Sequence, residues 1–192
     1  MVGVLLGAPG SGKGTQSELI APVLGVPHIS TGDLLRAEAE AGTPLGAEVA
    51  PLLAAGELVP DELIERVLEQ RLRAPDAARG ALLDGYPRTV AQARELDRLL
   101  EADGRKLDFV VILDVDEQTV MERLRRRAAE QHRADDNPEA IAERLIEYRQ
   151  LTEPVIDYYR ARGVPVFVID GTGSTEAVHD RIAETLQKIS RR

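Results

Sequence analysis

The run Gly7-Ala8-Pro9-Gly10-Ser11-Gly12-Lys13-Gly14-Thr15 carries the clearest chemistry in this sequence. Its glycines let the backbone turn tightly and approach a ligand closely. Successive N–H groups can then line one concavity at the positive end of a following helix, which is a place for phosphate. Lys13 adds a cation for β- and γ-phosphates, and Thr15 a hydroxyl for Mg²⁺ or a phosphate oxygen. The spelling fits Gly-x4-Gly-Lys, except that Gly14 stands where Ser or Thr is usual and the hydroxyl follows one residue later.

Other residues suit the same chemistry. Asp84-Gly85-Tyr86-Pro87-Arg88 joins a carboxylate, a flexible glycine and a guanidinium held by a preceding proline. An acid facing a phosphate loop can hold Mg²⁺ through water, and Arg offers a planar fork to phosphate. On the residues alone, Asp84 serves equally as a turn cap and Arg88 as a solvent-facing side chain. Asp33 is a weaker metal candidate, because an acid in a first helical turn is ordinary capping. Arg123 and Arg127 share a helix face, in a basic run that a helix C-terminus also favours. Arg144 sits beside the apolar positions Ile141 and Leu145, where an inward arginine needs an anion. Arg133 stands in a short polar stretch. His28, His132 and His179 are scattered and suggest neither metal ligands nor a triad. Ser11 has no general base beside it.

The elements that must position these groups alternate. Val2–Leu6, His28–Ser30, Ala81–Leu83, Phe109–Val115 and Val164–Ile169 read as strands, with amphipathic helical segments between them. That pattern predicts an α/β fold of three layers, with five parallel strands flanked by helices. Ligands bind such sheets beyond the carboxyl ends of the strands, where the glycine loop, Thr31-Gly32-Asp33, Asp84–Arg88 and Asp170–Gly173 all fall. Between strands two and three lie three helical pieces, more than a crossover needs. The excess, 30–59, reads as a small excursion over the ligand edge, and 126–136 as a short lid. The expectation is a single domain over 1–192, with core 1–29, 60–125 and 137–192.

Composition narrows the class. A chain of 192 residues suits one domain with a real core. A net charge of −9 argues against broad nucleic-acid or acidic-membrane binding. No apolar run approaches the ~20 residues of a membrane span, and Val2–Leu6 is too short for a signal-peptide core. Cys is absent, so neither a disulfide framework nor a thiolate metal site is expected. A cytoplasmic monomer is the expectation. The lysines are Lys13, Lys106 and Lys188, so the lone lysine in the glycine loop stands out in an Arg-rich chain. Phosphoryl transfer fits this set: it needs positioning, Mg²⁺ and charge neutralisation in a dry site more than it needs a nucleophilic side chain.

The spelling of Gly7–Thr15 resembles the nucleoside monophosphate kinases. Further segments strengthen the likeness: Ser30-Thr31-Gly32-Asp33-Leu34-Leu35-Arg36, Leu58-Val59-Pro60-Asp61-Glu62, Asp84–Arg88 with Gln92, Arg123-x3-Arg127, Arg133-x-Asp135-Asp136-Asn137 and Arg144-Leu145. Together they resemble the short-lid adenylate kinases along nearly the whole chain. The resemblance implies a P-loop fold and the reaction MgATP + AMP ⇌ 2 ADP. It implies that Gly10, Ser11, Gly12, Lys13, Gly14 and Thr15 wrap the ATP phosphates, with Arg123 against the ATP adenine, Arg127 near its phosphates and the backbone of Gly173 beside the base. It gives AMP a pocket of Thr31, Glu57, Leu58, Val59, Gly85, Tyr86, Pro87 and Gln92, with Gln92 reading the adenine edge and Arg36 and Arg88 holding the phosphate. Arg133 and Arg144 bridge the two nucleotides, and Asp84, with Asp33 as a second candidate, orders the waters on Mg²⁺. The lid is short and lacks Cys, so no zinc is expected. UMP/CMP kinases share the short lid, but tend to carry Ala and Asn where this chain has Thr31 and Gln92.

Overall fold

The computed structural model describes residues 1–55, 59–131 and 138–190. Its frame is five parallel strands: β1 (Val2–Gly7), β2 (His28–Ser30), β3 (Ala81–Asp84), β4 (Phe109–Asp114) and β5 (Val166–Asp170). They lie in the order β2-β3-β1-β4-β5, so the strand that feeds the glycine loop is central. The registers Leu5↔Asp84, Ser30↔Asp84 and Asp114↔Asp170 bring the strand ends to one edge. The expected architecture is therefore present.

Alternation along the strands builds two cores. Val4, Leu83, Val110 and Ile112 point to one face, against α4 (Asp61–Leu72), α5 (Val90–Ala102) and α8 (Glu153–Ala161). Leu5, Leu82, Phe109 and Val111 point to the other, against α1 (Lys13–Leu24) and α9 (Thr175–Ser190). Strands buried on both faces explain the near-continuous apolar run of β4. A satellite core of Leu35, Leu45, Val49 and Val67 joins α2 (Thr31–Ala41) and α3 (Pro44–Ala55) to α4. Val120, Leu124 and Ile141 seat α6 (Glu117–Gln131) and α7 (Pro138–Glu147) beside the glycine loop.

Local chemistry sets the boundaries. Ser30 Oγ accepts the Asp33 N–H and caps α2; Thr89 Oγ1 accepts the Gln92 N–H and caps α5. α3 starts at Pro44, where Thr43 Oγ1 accepts the Gly46 N–H and proline suits a first helical position. α6 runs to Gln131, into the stretch expected as a short lid. A π turn, Tyr148–Thr152, separates α7 from α8. Pro154 lacks an N–H, and the ladder widens just ahead of it, with Glu153 N–H reaching Tyr148 O.

Candidate active site

The loop between β1 and α1 is the hub. Gly10 adopts φ +81°, and a Cβ there would lie 2.7 Å from the Leu124 side chain, so α6 packs against the loop only because the position is glycine. α1 starts from Gly12 in a left-handed conformation with no side-chain cap. In contrast with α2 and α5, no side chain caps its first N–H groups, an arrangement that suits an anion.

Lys13 folds back over the loop: Nζ donates to Gly7 O at 2.6 Å and Ala8 O at 2.9 Å. Burial lowers its pKa to about 8; Asp84 opposes the shift, and Arg88, Arg144 and Arg127 deepen it. These partners come from β3, the loop after it, α7 and α6. Four separate stretches of chain thus bring charge to one ammonium.

Asp84 closes β3 with 9% of its surface exposed. Its Oδ2 lies 3.7 Å from His28 Nε2, and a Cβ on Gly14 would lie 3.6 Å from the same oxygen. The carboxylate therefore faces the start of α1. Asp33 is instead exposed and paired with the Arg36 guanidinium. Burial pushes its carboxyl up, but hydrogen bonds to Arg36 and Ser30 outweigh that and hold it below the usual range. A buried carboxylate facing the loop that carries the Thr15 hydroxyl suits a hard cation that keeps waters and takes phosphate oxygens as ligands. Among the described residues, no three His, Cys, Asp or Glu gather into a cage.

A cleft and a hydrogen-bonded cluster flank Lys13. In the first, Arg123 ties the loop to the segment after β5, donating from Nη1 to Ser11 O at 3.1 Å and from Nη2 to Gly171 O at 2.9 Å. Beside it opens a cleft of about 570 Å³, lined by Ser11, Gly12, Thr15, Arg126, Gly173 and Val178 among others. Arg181 Nη1 donates to Asp170 O and Thr172 O, both at 2.8 Å, and holds the loop that ends at Gly173.

The hydrogen-bonded cluster lies at the ends of β2 and β3. Gly85 O accepts from Thr31 Oγ1 at 3.3 Å and from Arg88 Nε at 2.9 Å. Buried Tyr86 donates its hydroxyl to Gln92 O at 3.1 Å, and the Tyr86-Pro87 peptide is cis. Gln92 Oε1 accepts the Arg88 N–H at 2.7 Å, and its Nε2 donates to Asp61 Oδ1 at 2.6 Å. Thr152 Oγ1, in the π turn, donates to Arg88 O at 3.0 Å. Val59 packs on the satellite core.

The structure thus gathers Lys13, Thr15, Asp84, Arg88, Arg123, Arg127, Arg144 and Gly173 at one edge, with Thr31, Gly85, Tyr86, Pro87 and Gln92 adjoining. Arg36 stands on α2, turned to Asp33. Glu57, Leu58 and Arg133 lie outside the described residues. Sequence reading missed His28, Asp61, Thr152 and Arg181 as neighbours of this edge. His28 had a findable signal: parallel pairing of β2 with β3 sets it opposite Leu82, two residues before Asp84. The other three act through contacts between residues distant in sequence, or through a loop conformation, and no local spacing marks them.

Known proteins carry the same chain pattern. A family model described as adenylate kinase matches residues 5–164. The adenylate kinase of Xanthomonas campestris pv. campestris (strain 8004) is 50% identical over 183 residues, which is 95% of this chain and 97% of that protein. The adenylate kinase of Stenotrophomonas maltophilia (strain K279a) is 49% identical over 184 residues, 96% of this chain and 98% of its own. The glycine loop with its uncapped helix start, the arginines around Lys13 and the cleft beside Arg123 accord with these matches along nearly the full length, and the chain belongs to the adenylate kinase family.

Proposed function

We propose that this protein transfers the γ-phosphoryl group of ATP to AMP, reversibly, to give two ADP. The observation that carries this is the Lys13 cluster. In a protein of net charge −9, Arg88, Arg127 and Arg144, from separate segments, act together with the buried Asp84 on one ammonium at the uncapped start of α1. Two polyphosphates meeting end to end need positive charge brought from several segments to one point, and this cluster provides it.

ATP occupies the cleft at Arg123 and Gly173, with its phosphates on residues 10–15 and Arg127 nearby. AMP occupies the recess of Thr31, Gly85, Tyr86, Pro87 and Gln92, completed by Glu57, Leu58 and Val59, with Arg36 and Arg88 on its phosphate. Arg36 must leave Asp33 to reach it. An AMP phosphate oxygen, already anionic, attacks the γ-phosphorus; the bond to the β-phosphate oxygen breaks, and ADP leaves. No general base is required. Lys13, Arg133 and Arg144 hold charge at the transferred group as it passes between the nucleotides. Asp84, with Asp33 as the second candidate, would hold Mg²⁺ through water, and the ion supplies charge neutralisation on the ATP phosphates. Residues 30–59 and 126–136 close over the nucleotides and exclude water, the competing acceptor.

Both recesses are built from one chain, which supports action as a monomer, and we place that action in the cytoplasm. Among the described residues, no helix is long and apolar enough to cross a membrane. The test is a coupled assay with MgATP and AMP, UMP, CMP or GMP in turn. Fast ADP formation with AMP is expected. Preference for UMP or CMP would overturn the roles of Thr31 and Gln92, and no turnover with any acceptor would overturn the reaction.

A further inference from the structure

We infer that Asp61 is a specificity-determining positioning residue: it locks the Gln92 amide so that the recess takes a base with an amino donor beside an unprotonated ring nitrogen, and turns away the reverse order. This rests on the reading of that recess as the acceptor site.

A glutamine amide has nearly identical ends, and rotation by a half-turn exchanges its oxygen for its NH₂. A free glutamine therefore reads either hydrogen-bond order on a base. Here both ends are committed. The Arg88 backbone N–H can only donate, and it meets Oε1 at 2.7 Å. The Asp61 carboxylate can only accept, and it meets Nε2 at 2.6 Å. A flip would set N–H against N–H at one end and oxygen against carboxylate at the other. Gln92 is 3% exposed, so water is poorly placed to relieve either mismatch.

Two of the four hydrogen-bonding positions of the amide are thus used. One N–H and one Oε1 lone pair remain, in a fixed order. The pairing edge of adenine matches that order: its 6-amino group donates to Oε1 and N1 accepts from Nε2. Hypoxanthine, of the same size, reverses it, with an accepting O6 and a donating N1–H. The pair AMP and IMP therefore isolates hydrogen-bond order from shape.

Asp61 is itself held firmly. It is the first residue of α4, directly after Pro60, which starts the helix. A carboxylate in that turn is favoured by the helix dipole. It lies 31 residues from Gln92, and the contact ties the helix after the 30–59 excursion to the start of α5.

The experiment compares wild type, Asp61→Asn and Asp61→Ala. Asn keeps the shape but can offer its own NH₂ to a flipped Gln92; Ala removes that end of the lock. The ratio of kcat/KM for AMP to that for IMP should fall roughly tenfold or more in both variants. The change should appear in KM for the acceptor, with KM for ATP unmoved. In the nucleotide-free protein, NMR should show the Gln92 side-chain amide protons distinct and slow to exchange in wild type, and averaged or fast in Asp61→Ala. An unchanged ratio and unchanged amide signals in both variants would make Asp61 an ordinary helix-start carboxylate and overturn the lock. Failure of wild type to use AMP at all would instead overturn the proposed reaction, while the amide signals still judge the lock.

Discussion

ATP binding should draw a proton into the protein at alkaline pH, and Lys13 should be its destination. Burial and the three arginines hold the Lys13 pKa at about 8 in the nucleotide-free protein, against 10.5 for an ordinary lysine. At about pH 8 roughly half of the molecules therefore carry a neutral Lys13. Phosphate oxygens beside the amine favour the charged form and return its pKa toward or above the ordinary value. The sign follows: between the free and bound pKa values the complex holds more protons than the free protein, so binding takes protons up. The amount is about half a proton per ATP near pH 8, about a tenth near pH 7 and close to one near pH 9. Affinity should accordingly fall with rising pH, approaching tenfold per unit above about pH 8 until the bound-state pKa is reached.

Titration calorimetry measures this directly. At fixed pH, the observed heat is plotted against the ionisation enthalpy of several buffers, and the slope is the number of protons exchanged. The terminal phosphate of ATP is almost wholly ionised at this pH and contributes little. Lys13→Met should bring the slope near zero and, by removing a charge aimed at the transferred group, cut kcat by about 10²–10³. A slope of zero in wild type, or an undiminished slope in Lys13→Met, would refute the placing of Lys13 as a partly discharged cation waiting for phosphate.

Three further outcomes test other parts of the structure. Gln92→Ala should raise KM for AMP at least about tenfold and that for ATP little, because the amide belongs to the second recess; equal effects would mean the recesses are assigned the wrong way round. Arg123→Ala should do the opposite, raising KM for ATP, since its guanidinium joins Ser11 O to Gly171 O at the edge of the first cleft; an effect on AMP alone would refute this. Leu96→Ala, at a fully buried α5 position in the core that also seats β3, should cost about 2–5 kcal/mol in urea unfolding; a loss below about 1 kcal/mol would mean that the site collapses around the gap.

Periodicity made the fold legible. Strand faces with a period of two, against helices whose apolar residues recur every three or four, leave little freedom once five such strands alternate with helices. The glycine loop was legible for a similar reason: its residue types are intelligible only if the backbone itself is the ligand surface. What stayed hidden depends on pairs distant in sequence. Asp61 reads as a helix start, and Thr152 as one more polar residue in an amphipathic run. Their partners, the Gln92 amide and the Arg88 carbonyl, lie 31 and 64 residues away. The π turn escaped as well, because Pro154 reads as an ordinary early helical residue unless the preceding helix is known to run into it. Arg36 shows the remaining limit: its type suits a phosphate, yet the structure pairs it with Asp33. The residues offered as ligand contacts are picked out by their chemistry, one at a time. Those that hold them in register are set by position, and only the folded chain shows Arg88 as a joint: its guanidinium donates to Gly85 O and bears on Lys13 through its charge, its N–H meets Gln92, and its carbonyl is held from the π turn.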